Sequence, residues 1–170
     1  MRTRTKDKRN RQGFTLAESL LAVLLLALAS TGMAVGAAFA ARQYTASIAA
    51  SEAKILSSTL RSAISNELSN GRNFHLENGF LTDFISQNYG PSGSAGGFSE
   101  ADGKILLNAL PLIGEGAYVR GMTARLYPIS CENGIFHVHL EILSRDGAVL
   151  HSSRFDVRPL NQTEIQRRTN

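Results

Sequence analysis

The chain has a single cysteine, Cys131, in 170 residues. No intrachain disulfide can form, so an exported domain built from this sequence must rely on its core and on assembly. Cys131 itself reads as a small residue near a turn. Charge is missing where it matters most: from Ser19 to Ala41, twenty-three residues, there is no Asp, Glu, Lys or Arg. As helix that run would measure about 34 Å at ~1.5 Å per residue, enough to cross a bilayer core of roughly 30 Å. Proline is absent from the run, and from Arg42 to Ser69 there is neither proline nor glycine. Helix is therefore expected from Phe14 to Ser69.

A basic excess is absent from the part of the chain that follows. Residues 42–170 hold twelve Lys and Arg against twelve Asp and Glu, a formal net of zero. The overall net charge of +4 comes from residues 1–13, with six basic residues and one acid, Asp7. Such a leader stays cytoplasmic under the positive-inside rule, and the C-terminal part is placed across the membrane. Direct nucleic-acid binding, which needs a basic face on the domain, is not expected. No GK[ST] follows a strand, and no GxSxG is present. The Gly- and Ser-rich stretch Tyr89–Gly103 reads as a surface loop. No catalytic site, cofactor or small-molecule substrate is indicated.

What is present begins with Glu18, one carboxylate at the head of the apolar run. Acids inside a membrane span are costly, so this one invites a functional explanation. The residues around it, Lys8-Arg9-Asn10-Arg11-Gln12-Gly13-Phe14-Thr15-Leu16-Ala17-Glu18, resemble the class III signal of type IV pilins and type II secretion pseudopilins. The resemblance covers roughly residues 6–45. It implies that a prepilin peptidase cuts between Gly13 and Phe14 and methylates the new amine of Phe14. It implies that Glu18 pairs with the Phe14 amine of a neighbouring subunit. Ala17 stands where the family usually has a large aliphatic. Two rival readings remain. One is a secreted domain cut after Ala38-Phe39-Ala40, and the other is a single-pass anchored domain with an intact leader.

Gly32 and Gly36 form a GxxxG pattern that permits close helix packing in lipid. Chance in an Ala- and Gly-rich segment explains it equally well. The resemblance to pilins, whose filaments often loosen the helix near this depth beside a proline, implies that here, with no proline, Gly32 and Gly36 are the candidates for loosening. Further on, Ala49, Ala53, Leu56, Leu60, Ala63, Ile64 and Leu68 recur at three- and four-residue steps, flanked by Ile48 and Ile55. This is the apolar stripe of an amphipathic helix, with Glu52 and Glu67 among the charges off it. Asn70-Gly71 should stop the helix, with Gly71 in the left-handed position.

The expected fold is α+β: a long N-terminal helix packed on a small C-terminal antiparallel sheet. Its divisions are a leader over 1–13, a membrane or filament-core helix over 14–41, its amphipathic continuation over 42–70, an irregular variable region over 71–116, a sheet over 117–160 and a polar tail over 161–170. Within 73–87 a short strand and a short helix are expected, and Lys104–Leu110 is a short apolar run. Tyr118–Tyr127 should be a strand ended by Pro128. Ile135–Leu143 alternates as a half-buried strand, and Asp146-Gly147 reads as a two-residue hairpin turn. Counting back from that turn pairs Val138 with Phe155, Phe136 with Val157, His137 with Asp156 and His139 with Arg154. His137 and His139 share a face at metal-binding spacing, with Asp156 as a third ligand, but no fourth ligand converges and no metal is expected.

The function that follows is structural: a minor pilin or pseudopilin of a type IV pilus-like filament used in secretion, DNA uptake or adhesion, not an enzyme. Its partners would be the prepilin peptidase, other pilin subunits, a membrane assembly platform and membrane lipid. Its place would be the cytoplasmic membrane, N-terminus inside and C-terminal domain outside, and then the filament.

Overall fold

The computed structural model describes residues 15–89, 95–160 and 165–168. It is an α+β protein. Helix α1 runs from Leu16 to Asn70. The chain divides into two compact units, residues up to Thr45 and residues from Ala46 onward. The first unit consists, in its described part, of the N-terminal half of α1.

In the second unit, α1 buries one stripe: Ala53, Leu56, Leu60, Ile64 and Leu68, each at most 2% exposed. Ala49 and Ala63 pack at its margin. Ile55, expected to flank the stripe, is 64% exposed, because its position turns it to the opposite side of the helix. The stripe meets Phe74, Phe84, Phe136, Leu140 and Ile142 from the sheet in one continuous core. Rings of Phe74 and Phe136 lie 4.9 Å apart, and those of Phe74 and Phe84 5.5 Å.

The segment 71–116, expected to be irregular, holds six strands. β1 (Arg72–Glu77) and β2 (Phe80–Ile85) form a hairpin where a strand and a short helix were expected. β3 (Ala95–Gly96) adds to β2. β4 (Phe98–Ala101), β5 (Lys104–Leu107) and β6 (Leu110–Pro111) make a separate three-stranded sheet. The physical reason lies in the turns. Asn78-Gly79, Asp102-Gly103 and Asn108-Ala109 all have positive φ at both residues, the geometry of tight type I′ hairpins. A fourth such turn, Asn133-Gly134, joins β8 (Ser130–Glu132) to β9 (Ile135–Leu143).

The expected strand Tyr118–Tyr127 is mostly something else. Glu115–Ala117 and Val119–Gly121 are 3₁₀ turns, and β7 covers only Thr123–Leu126. Arg120 sits in the left-handed region, and its guanidinium pairs with Glu52 of α1 at 2.7 Å. β10 (Val149–Val157) pairs with β9 in the expected register, including Val138 with Phe155 and His137 with Asp156. The turn that produces it differs from expectation. Asp146 is not left-handed. Gly147 N–H bonds to Ser144 carbonyl at 2.9 Å, and Ser144 N–H to Ala148 carbonyl at 2.8 Å, so three residues form the loop. A bulge between Val149 and His151 then shifts the ladder by one residue. The two changes cancel.

Among the described residues the larger sheet runs β10-β9-β8-β2-β1-β11, with β3 beside β2 and β7 beside β9. β11 (Ile165–Arg168) lies in the expected polar tail, yet it pairs in parallel with β1. Its backbone satisfies the open edge of β1, which overrides its polar composition. At the end of α1, Gly71 does not adopt the left-handed conformation expected of it. A Cβ there would come within 2.8 Å of both the Phe74 and Phe84 rings and 3.0 Å of the Glu67 carbonyl. Glycine is needed at this corner for close approach.

Candidate functional site

The candidate site is the head of α1. Gly13 and Phe14 lie outside the described residues. Thr15 is the residue just before the helix, and its hydroxyl accepts from Glu18 N–H at 3.3 Å. Glu18 Oε2 accepts in return from Thr15 N–H at 3.0 Å and from the Thr15 hydroxyl at 3.1 Å. This is a reciprocal capping box, spelled by Thr-x-x-Glu. It satisfies donors that the first helical turn leaves without partners, and it places an anion where the helix dipole favours one. Thr15 and Glu18 are both exposed, so the carboxylate faces outward from the helix head while held by Oε2.

Beyond Glu18 every residue through Ser47 is exposed. These include Leu20, Leu21, Val23, Leu24, Leu25, Leu26, Leu28, Val35 and Phe39, each more than half accessible. Such a continuous apolar surface marks a segment whose environment is lipid or protein outside this chain. The few polar side chains close on the helix itself. Ser30 donates to Leu26 carbonyl at 2.7 Å and Thr31 to Ala27 carbonyl at 2.8 Å, as a non-aqueous setting requires. Helix α1 runs through Gly32 and Gly36 without interruption. The two lie one turn apart, and a Cβ on either would meet nothing within 4 Å. They form a smooth patch with open space above it among the described residues.

The other sequence candidates sit on the sheet and are each engaged. His137 Nδ1 lies 2.7 Å from Asp156 Oδ1. His139 stands opposite Arg154 by register, but its Nε2 instead meets Ser152 Oγ at 3.1 Å, and its ring stacks on Tyr127 at 4.3 Å. Among the described residues no group of three or more His, Cys, Asp or Glu has the geometry to hold a metal ion. Cys131 is buried near the Asn133-Gly134 turn.

One buried polar site was not legible in the sequence. Glu67, expected off the apolar stripe, is only 3% exposed. Its Oε2 accepts from Ser86 hydroxyl at 2.5 Å and its Oε1 from Asn88 Nδ2 at 2.6 Å. These bonds anchor the chain after β2 to the last turns of α1. Nothing in the local pattern around Glu67 announces partners nineteen and twenty-one residues away.

Residues 8–34 match the family described as the prokaryotic N-terminal methylation motif. The match spans the basic approach, Gly13 through Glu18 and the apolar run to Ala34. These residues are a prepilin-type signal, similar to those of type IV pilins and pseudopilins. The motif implies processing by a prepilin peptidase and assembly with other pilin subunits, and its family is structural. Together with a helix long and apolar enough to cross a membrane, it supports membrane anchoring. No match was found among curated proteins, and none among solved structures.

Proposed function

We propose that this chain is a minor pilin or pseudopilin, a structural subunit of a type IV pilus-like filament serving secretion, DNA uptake or adhesion. The observation that carries the reading is the methylation motif at residues 8–34 running directly into a fully exposed apolar half-helix. In this reading the peptidase cuts between Gly13 and Phe14, and Phe14 receives the methyl group. The leader 1–13 is lost. The half-helix 14–41 holds the subunit in the cytoplasmic membrane with its N-terminus inside, and later lines the filament core. The continuation 42–70 and the sheet region form the domain outside, which the assembly platform draws into the filament.

Cleavage creates a charged amine at Phe14. In an apolar core that charge needs a partner, and Glu18 of a neighbouring subunit supplies it. The capping box bears on how. It occupies Oε2 of Glu18 and leaves Oε1 with no bond to the described residues of the helix head, so one carboxylate can serve its own helix and the neighbour's amine together. Gly32 and Gly36 would let adjacent helices approach closely.

The test begins with the N-terminus of the mature protein, read by mass spectrometry of the membrane fraction. A start at Phe14 is expected. A start at Met1 or near Ala41 would overturn the reading. Gly13→Val should leave the chain uncut, because a branched side chain obstructs the bond to be cleaved. Glu18→Ala should be cleaved and stay in the membrane, since losing the acid eases insertion. It should enter sheared filaments poorly, because breaking a buried pair costs about 3–5 kcal/mol. An unchanged ratio of variant to wild-type subunit would remove Glu18 from assembly.

A further inference from the structure

The register of the larger sheet builds a groove that the filament reading does not use. Phe80 of β2 stands opposite Ser130 of β8, Ser130 opposite His137 of β9, and His137 opposite Asp156 of β10. Directly opposed residues share a face, so these four side chains form one row across four strands. A second row lies beside it. Tyr127 N–H bonds to His139 carbonyl at 3.0 Å, and His139 stands opposite Arg154. Both rows line one groove of about 530 Å³, within the range of small-ligand sites.

Its two ends differ in chemistry. One end is aromatic: Phe80, nearly half exposed, stands beside Tyr127. The other end is charged. Asp156 is held by His137 at 2.7 Å, whereas Arg154 is exposed and no carboxylate among the described residues lies within ion-pairing distance of it. With strands about 4.8 Å apart, the aromatic and charged ends are separated by roughly 10–14 Å. Between them stand hydroxyl and imidazole groups that can bond to a ligand's hydroxyls.

We propose that this groove binds an acidic oligosaccharide, with one sugar ring laid on Phe80 and Tyr127 and a uronate carboxylate paired with Arg154. A ring with an apolar face suits the aromatic end, and a carboxylate suits the fork of a guanidinium that has no ion pair among the described residues. The separation of the ends exceeds a single sugar and calls for a chain of them. The polar groups between favour a ligand rich in hydroxyls over an aromatic acid. One arginine among the described residues that line the groove favours isolated carboxylates over the dense phosphates of nucleic acid. The proposal is independent of the filament reading.

The probe is trigalacturonate, titrated calorimetrically into the full-length chain in a sugar-free detergent. Saturable binding is expected. Arg154→Gln should weaken it roughly tenfold, as loss of a charge-assisted pair does. The methyl ester of the same trisaccharide should bind wild type as weakly as the acid binds Arg154→Gln. Phe80→Ala should weaken both ligands by a similar factor, and Arg72→Gln, an exposed cation on β1, should change nothing. Both groove positions are exposed enough for substitution without loss of fold, which an unchanged melting temperature checks. Absence of saturable binding, equal affinity for acid and ester, or Arg72→Gln acting as strongly as Arg154→Gln would each overturn the proposal.

Discussion

Two of the three carboxylates of helix α1, Glu18 and Glu67, solve opposite problems. Glu18, in the first turn, is exposed, bonded among the described residues only to Thr15 three residues away, and favoured by the helix dipole. Glu67 lies in the last turns, where the dipole disfavours an anion, and it is buried. It persists there because Ser86 and Asn88 reach back across the sequence to bond it. The apolar residues of the helix divide the same way. Leu56, Leu60, Ile64 and Leu68 are covered by this chain's own sheet, while Leu20, Leu24 and Leu28 are each more than half exposed. A half-helix whose partners are inside the chain contributes to the stability of its unit. A half-helix without them serves, in the function proposed above, attachment and assembly.

The sharpest way to break this comparison is a matched pair of leucine substitutions. Leu60→Ala empties a site that is 0% exposed, and it should destabilise the C-terminal unit by about 2–5 kcal/mol. Leu24→Ala removes a side chain 56% exposed in this structure, and it should leave that unit within about 0.5 kcal/mol of wild type. Thermal unfolding of the full chain in detergent, followed by near-ultraviolet circular dichroism, reads both. Equal losses would show that the two halves are not energetically separate.

The carboxylates offer a second contrast. Glu67→Ala leaves the Ser86 hydroxyl in a buried site without its acceptor, while the exposed Asn88 amide can turn to water, and should cost about 1.5–3 kcal/mol. Glu67→Gln keeps the shape and one acceptor, so its loss should be smaller. Glu18→Ala removes only an exposed cap and should not move the same transition. Denaturant midpoints of the three variants, with matched slopes, decide the matter.

A third test uses pH on the domain alone. Burial pushes the Tyr118 phenol above its usual range, partly offset by the hydrogen bond its oxygen accepts from Ile105 N–H at 3.2 Å. The folded state therefore keeps this proton to higher pH than the unfolded state. The associated stability is fully present below the unfolded value near 10 and is lost as pH rises through the folded value. Tyr118→Phe should cost about 1 kcal/mol at neutral pH and flatten the decline above pH ~10. An alkaline profile identical to wild type would assign the decline to other groups.

Much of this was legible in the sequence where one local rule decided the outcome. The stripe of α1, the alternation of β9 and the Gly13–Glu18 signal each follow from spacing. What was not legible depended on long-range contact or on weighing one turn against another. Glu67 looked like a surface acid because its partners lie on another element. Gly71 looked like a cap, although the aromatic rings around it are what demand a glycine. Asp146-Gly147 looked like the strong hairpin turn, yet Asn78-Gly79, Asp102-Gly103 and Asn133-Gly134 are the residues that adopt that geometry. Reading Asn78-Gly79 and Asp102-Gly103 with equal weight would have recovered two of the hairpins in the segment taken as irregular.

The smallest predicted effect comes from the turn that departs from this pattern. Asn108-Ala109 joins β5 to β6 with φ of 53° and 62°, so alanine occupies a left-handed position that glycine fills in the other three turns. A Cβ in that conformation crowds the following carbonyl and costs roughly 1–2 kcal/mol. Ala109 is exposed, so its methyl returns little through packing. Ala109→Gly removes the crowding but gives the unfolded chain more freedom to lose, about 0.5–1 kcal/mol. The balance is a stabilisation of about 0.5–1 kcal/mol, measured as a rise in the melting temperature of the C-terminal unit. Ala109→Val should act in the opposite direction, because a branched side chain tolerates this region worst. The same substitutions should leave membrane retention unchanged, since the proposed function assigns that to residues 14–41. If Ala109→Gly destabilises instead, the turn is held by contacts of the methyl group, and conformational strain is not what limits it.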